Sequence, residues 1–272
     1  MNNKFDWNRF CNVVKKDFCN LWPMFGTTMI VLASLPFAVW LLALVIDRTA
    51  VIDPSWRVAM IMGVSSLAAL MLPSRLYRTM NLRNEGIYYA MLPASKLEKF
   101  LSMLLFTFIV APVAVYLGSM VLDIILRLLP AGPYHQWLWQ GEAGFPFFIT
   151  FPSDDNVVPG FHSWLLTAAT WTGLFASPAI FLYAATLFKK HKVLYTFLIL
   201  YLLEFVLTVI AIPIIVALIK TPDFLEWFYD TIYKYGPENL LNWVMGIVSV
   251  FNVIVFVLFT WMTWRRLKKM PY

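Results

Sequence analysis

The sequence has 272 residues, of which 61% are hydrophobic and only 13% charged, against roughly 45–50% and about 25% in soluble domains. With 12 Trp, 23 Phe and a mean hydropathy of +0.71, it carries more apolar surface than a soluble globule of this size can hide. That excludes a disordered chain, a secreted disulfide scaffold and a plain cytosolic enzyme.

In chain order, the first predicted element is amphipathic. Trp7, Phe10, Val14, Phe18 and Leu21 recur at three- and four-residue steps, with Asn8, Asn12, Lys15 and Lys16 opposite. This pattern predicts an interfacial helix within residues 1–23 that turns at Pro23 into the first span. Asp6 and Asp17, together with the length of the apolar run that follows, argue against a cleavable signal. Cys11 and Cys19, the two cysteines, both fall in this element and are expected as free thiols. Apolar runs follow at 24–46, 58–74, 100–122, 163–188, 193–219 and 239–264. A hydrocarbon core of ~30 Å takes about 20 helical residues, with about 17–25 tolerated. None of the runs alternates with period two, so helices are expected rather than a barrel. The expected fold is an all-α membrane protein, a single transmembrane domain over 1–272 with six transmembrane helices and an N-terminal interfacial helix.

Six spans put both termini on one side. That side holds Lys4, Arg9, Lys15, Lys16, Arg75, Arg78, Arg83, Lys96, Lys99, three lysines at 189–192, and Arg265, Arg266, Lys268 and Lys269, which are 16 of the 21 basic residues. The other side has Arg48, Arg57, Arg127, Lys220 and Lys234 beside ten of the 15 acids. The positive-inside rule therefore predicts cytoplasmic termini. It also places most of the +6 net charge at the inner membrane surface, which fits anionic lipid headgroups and not nucleic acid.

The connection at 189–192 is short, which predicts a tight antiparallel pair of spans four and five. The external stretch 127–162 carries five prolines and eight aromatic rings, among them Tyr134, Trp137 and Trp139, and is expected to form a cap on the outer membrane face. A second external element starts at Thr221-Pro222 and ends at Gly236-Pro237, with Asp223, Glu226 and Asp230 on one helical face. Catalytic signatures are missing. No glycine precedes a lysine, so there is no P-loop; His135, His162 and His191 all lie in connections; and no Gly-x-Ser-x-Gly elbow occurs. The chain is expected not to be an enzyme, and no metal site is expected in it.

The connection 75–99 is the most informative. Ser95 and Glu98 fit a capping box that starts the third span, and Pro93 blocks an earlier start. Ahead of it, a polar turn at Glu85-Gly86 leads into Ile87, Tyr88, Tyr89, Met91 and Leu92, an apolar stretch that either lies on the bilayer or is covered by a protein partner. These features resemble the transmembrane subunit of a type-2 ABC transporter, in the compact form paired with a separate ATPase chain. Shared are the amphipathic N-terminal element, the six spans, the cytoplasmic segment between spans two and three, and a Glu-Gly followed by Leu-Pro-Ala-Ser-x-x-Glu-Lys-Phe at 92–100. The likeness is sharp over about 18 residues, and the aromatic stretch 127–162 departs from the common pattern. The resemblance implies a permease, an exporter, in a bacterial inner membrane. It further implies a homodimer or heterodimer of permease chains and ABC-type ATPase partners that hold ATP and Mg, with no cofactor on this chain. Carried over, Arg83, Glu85, Gly86, Tyr88, Tyr89 and Leu92 become ATPase-coupling residues.

Within the spans one ionisable group stands out. Glu204 lies near mid-depth of span five, and Asn252 falls at nearly the same depth in span six. A charge there costs roughly 3 kcal/mol on insertion scales. Either the two side chains hydrogen-bond to each other as structural glue, or they line a transport path. Ser65, Ser66 and Ser177 fall near the same level, and Pro36, Pro73, Pro112, Pro178 and Pro213 recur in or at the ends of spans, where each can hinge a helix. Two other readings stay open. One is a structural or regulatory membrane subunit with no transport path. The other is an ion-coupled carrier using Glu204.

Overall fold

The computed structural model describes residues 5–46, 51–77, 91–129, 132–140, 163–188 and 191–269. Among these there is no strand, and six helices are long and apolar enough to cross a membrane. Helix α1 (Trp7–Leu21) is capped by Asp6, whose carboxylate accepts from the amides of Asn8 and Arg9 at 2.8 and 3.3 Å. It continues without interruption through a π-turn at Trp22–Gly26 into α2 (Thr27–Ala33). Proline cannot donate a backbone hydrogen bond and its ring crowds the preceding turn; the widened π-turn accommodates Pro23 without ending the helix. A break at Ser34, two residues before Pro36, separates α2 from α3 (Leu35–Ile46). The second crossing is α4 (Pro54–Leu76), with Asp53 as its N-cap and Pro73 tolerated in its last turn. The third is built from α5 (Lys96–Leu105), a second π-turn at Phe106–Val110 that ends two residues before Pro112, and α6 (Ala111–Arg127).

The remaining crossings are α7 (Ser163–Leu187), α8 (Lys192–Ile219) and α10 (Pro237–Lys269). Between the last two lies α9 (Pro222–Tyr235), where Asp223, Glu226 and Asp230 are exposed and Leu225 and Ile232 are half-buried. It ends at Gly236, whose φ of 78° is the left-handed conformation that glycine adopts most readily. Thr221 stands at the N-cap position of α9, but its hydroxyl donates back to Leu218 O at 2.6 Å.

The core follows α4. Near α1 it is built from Leu21, Phe25, Leu72, Met103, Phe106 and Leu182; farther along come Val58, Ile61 and Tyr116, and at the opposite end Trp40, Leu126 and Tyr134. Helices α7 and α10 pack along each other, and Phe256 meets Phe108 and Phe175 edge to face where the third crossing joins that pair. Helix α8 differs from the rest. It touches α7 near its start, with Phe197 edge-on to Phe181 at 4.9 Å, and beyond that none of its described side chains is buried.

Candidate functional site

The basic residues gather at one end of the bundle and do specific work there. Helices end in carbonyls that lack partners, and basic side chains are suited to satisfy them. Lys192, itself buried, donates from Nζ to Tyr77 O at 3.0 Å and Ala185 O at 2.6 Å, tying the ends of α4 and α7 to the start of α8. Arg266 Nε donates to Thr186 O at 2.9 Å, and Lys96 Nζ to Lys268 O at 2.7 Å, which fastens the end of α10 to α7 and α5.

The start of α5 is the centre of this end. Ser95 Oγ accepts from the Glu98 amide at 3.3 Å and the Ser95 amide donates to Glu98 Oε2 at 2.8 Å, the reciprocal pair of a capping box. Glu98 is fully buried, and its other oxygen, Oε1, accepts from the Asp6 amide at 3.0 Å and pairs with Arg9 Nη2 at 3.2 Å. One carboxylate therefore caps α5 and holds the start of α1. Toward the other end of α1, Ser102 Oγ donates to buried Asp17 Oδ2 at 2.6 Å. Helix α1 thus has a packed face of Val13, Asp17 and Leu21, while Trp7, Phe18 and Trp22 are exposed on another side with Cys11, as an interfacial helix requires. Of the coupling residues expected from the sequence, Arg83, Glu85, Gly86, Tyr88 and Tyr89 lie outside the described residues. Leu92 is half-buried three residues before the Ser95 cap.

At mid-span the structure does not bring Glu204 and Asn252 together. Asn252 Nδ2 reaches across to α7, donating to Ala169 O at 3.3 Å and Thr172 Oγ1 at 3.4 Å, so it acts as polar glue between α7 and α10. Glu204 is exposed on α8. The serines expected at this depth back-bond within their helices, Ser65 to Met62 O, Ser66 to Gly63 O and Ser177 to Gly173 O. Ser65 and Ser66 also line a cavity of about 250 Å³ with Phe108, Tyr116, Trp171 and Phe175, between the second, third and fourth crossings.

A third polar centre was not anticipated as a unit. At the opposite end from α1, Arg57 and Asp123 are both buried and form a two-point ion pair, Arg57 Nε to Asp123 Oδ1 at 3.0 Å and Nη2 to Oδ2. Arg57 Nη1 donates to Gln136 O at 2.8 Å, and the guanidinium lies 4.1 Å from the centre of the Tyr134 ring. Burial, with the Asp123 charge beside it, pushes the Tyr134 phenol up to about 12, so its hydroxyl remains a donor, to Pro36 O at 3.1 Å. Ile52 N donates to Pro133 O at 3.1 Å, and Arg127 lies over Trp137, which stacks on Trp139. A Cβ at residue 132 would stand 2.6 Å from Trp40 Nε1, so the chain here needs glycine. This is the described part of the aromatic stretch, and it is packed on α3, α4 and α6. The signal lay in register: Arg57 immediately precedes the second apolar run and Asp123 immediately follows the third, so antiparallel spans put them at one depth.

No three His, Cys, Asp or Glu side chains converge as metal ligands among the described residues. Fold and polar centres together define an all-α, multi-pass integral membrane protein. No family model, curated protein or solved structure matches the chain.

Proposed function

We propose that this chain is the membrane-spanning permease subunit of an ATP-driven transporter of the ABC type, an exporter in a bacterial inner membrane. In this reading it works as one of a pair of permease chains. Separate ATPase subunits bind ATP and Mg and dock on its basic end, which faces the cytoplasm by the distribution of Lys and Arg. The observation that carries the reading is Glu98, which joins the start of α5 to the start of α1 through Ser95, Asp6 and Arg9. A partner that grips 83–92 pulls directly on this junction, and the third crossing and the interfacial helix then move as one body. The other basic-end bonds, through Lys96, Lys192 and Arg266, carry the displacement into the fourth, fifth and sixth crossings.

The test uses the tagged full-length chain purified from its native membranes. Magnesium-dependent ATP hydrolysis is expected to co-purify with it. The double substitution Tyr88→Ala, Tyr89→Ala removes two aromatic anchors of a kind that dominate interfaces, where truncation costs ~2 kcal/mol or more. ATPase recovery should fall by at least about tenfold while the membrane level of the chain stays unchanged. Absence of any co-purifying ATPase, or full recovery with the double variant, overturns the reading.

A further inference from the structure

Helix α8 presents a physical problem that its own chain does not solve. It is 28 residues long, and between 197 and 219 it carries three polar side chains besides its apolar ones: Tyr201, Glu204 and Thr208. All three are exposed. Their spacing of three and four residues puts them on one helical face, and Ala211, half-exposed, extends it by another turn. An apolar helix is stable when surrounded by lipid, but a carboxyl group at mid-span is not, at roughly 3 kcal/mol if it stays charged. The Thr208 hydroxyl donates to Glu204 O, the backbone carbonyl, at 2.8 Å and not to the carboxylate. Among the described residues no side chain pairs with the Glu204 carboxyl. Asp123, at the end of the third crossing, is by contrast already held by Arg57.

We propose that the Tyr201–Glu204–Thr208–Ala211 face of α8 is the contact between two copies of this chain, with Glu204 of each copy hydrogen-bonded to the partner subunit's Glu204. Two copies inserted with the same orientation relate by a two-fold axis along the membrane normal, and that axis brings identical residues of facing parallel helices to identical depth. A carboxyl pair that shares a proton is both donor and acceptor, so it satisfies itself, as a single carboxyl in lipid does not. The hydroxyls at 201 and 208 flank the pair one turn away on either side as further donors and acceptors. Ala211 lets the backbones approach closely, as small residues do at contacts between membrane helices. The spacing of 201, 204, 208 and 211 alternates three and four, the seam of a left-handed parallel pair. The need for two halves rests on the permease reading; the need to cover Glu204 does not.

The test is disulfide crosslinking of full-length protein in its native membranes, without nucleotide, after Cys11→Ser and Cys19→Ser. Single cysteines at 201, 208 and 211, which leave Glu204 in place, are expected to give a dimer on oxidation, and cysteines at 203, 206 and 209 only monomer. In the 208 variant, adding Glu204→Gln should preserve the dimer, because an amide pair is also self-complementary, and adding Glu204→Leu should abolish it. Three results overturn the proposal: monomer at every position, dimer without the three-four periodicity, and undiminished dimer in the Leu variant. A crosslinked product containing a different protein also overturns it, since that assigns the face to another chain. Crosslinking is scored independently of ATPase recovery, so failure of either leaves the other standing.

Discussion

Arg57 brings a guanidinium with five N–H donors to a place with no exposed surface. Burying it is tolerable only because Asp123, Gln136 and Tyr134 together meet its charge and its donors. Removing one partner of such a pair leaves the other charge buried and uncompensated, which costs ~3–5 kcal/mol, whereas replacing both by apolar groups of similar volume is often close to neutral. Arg57→Met alone should therefore lower the thermal unfolding midpoint in detergent sharply. The double change Arg57→Met, Asp123→Leu should recover most of that loss, read by tryptophan fluorescence on matched samples. A double variant as unstable as the single one would mean that the bond to Gln136 and the stacking on Tyr134, not the charge pair, hold this end. Asn252 is a smaller case of the same kind, with one amide bridging α7 and α10.

At the scale of elements, α1 and α5 behave as one unit because the bonds between them are made at both ends of α1, by Glu98 and by Asp17 with Ser102. Ser95→Ala removes an N-cap and should cost about 1 kcal/mol. Its local effect is more telling. The Glu98 amide loses its acceptor, whereas the Glu98 carboxylate keeps the backbone amides of Ser95 and Asp6 and the Arg9 guanidinium, so α1 stays held until Glu98 itself is removed. Hydrogen exchange of amides 8–20 should stay nearly unchanged in Ser95→Ala and accelerate in Ser95→Ala, Glu98→Ala, while the α7–α10 pair stays as protected as before. Equal acceleration in both regions would mean that the junction stabilises the whole bundle and not α1 alone. The two π-turns are a second device at this scale, each placed where a proline would otherwise end a helix, at Pro23 and Pro112.

For the whole molecule the decisive quantity is sidedness. Cysteines placed at Asp154 or Glu226 in a cysteine-free background should react with an impermeant thiol reagent added outside intact cells, and cysteines at Glu85 or Lys190 should not. Inverted labelling would reverse the orientation and with it the docking of an ATPase. The six crossings were legible in the sequence because apolar length and the scarcity of charge set them directly. The capping box at Ser95 and Glu98 was legible for a similar reason, since it depends on residues three apart. Three features were not. Depth along a helix follows from counting, but the direction a side chain takes around the axis depends on neighbours; hence Asn252 and Glu204 match in height, yet Asn252 turns to α7 while Glu204 is exposed. A π-turn has no compositional mark, so Pro23 reads as a turn although the helix runs through it. Asp17 counts in the sequence only as a charge that argues against a cleavable signal, yet it lies between Val13 and Leu21 and is buried against Ser102.

The Arg57–Asp123 pair also constrains the order in which the protein is made. Its two members are 66 residues apart, so at about 5–20 residues per second a ribosome delivers Arg57 roughly 3–13 s before the acid that neutralises it. During that interval the second apolar segment has an arginine at its leading end with no counter-charge. It can settle only in the translocation channel or at the headgroups, and full burial must wait for the third segment to arrive. Segments two and three are thus expected to complete their insertion together, as a hairpin. A delay introduced between them, by a long insertion or a stretch of slow codons, would expose the chain to quality control at the moment when Arg57 still lacks its counter-charge.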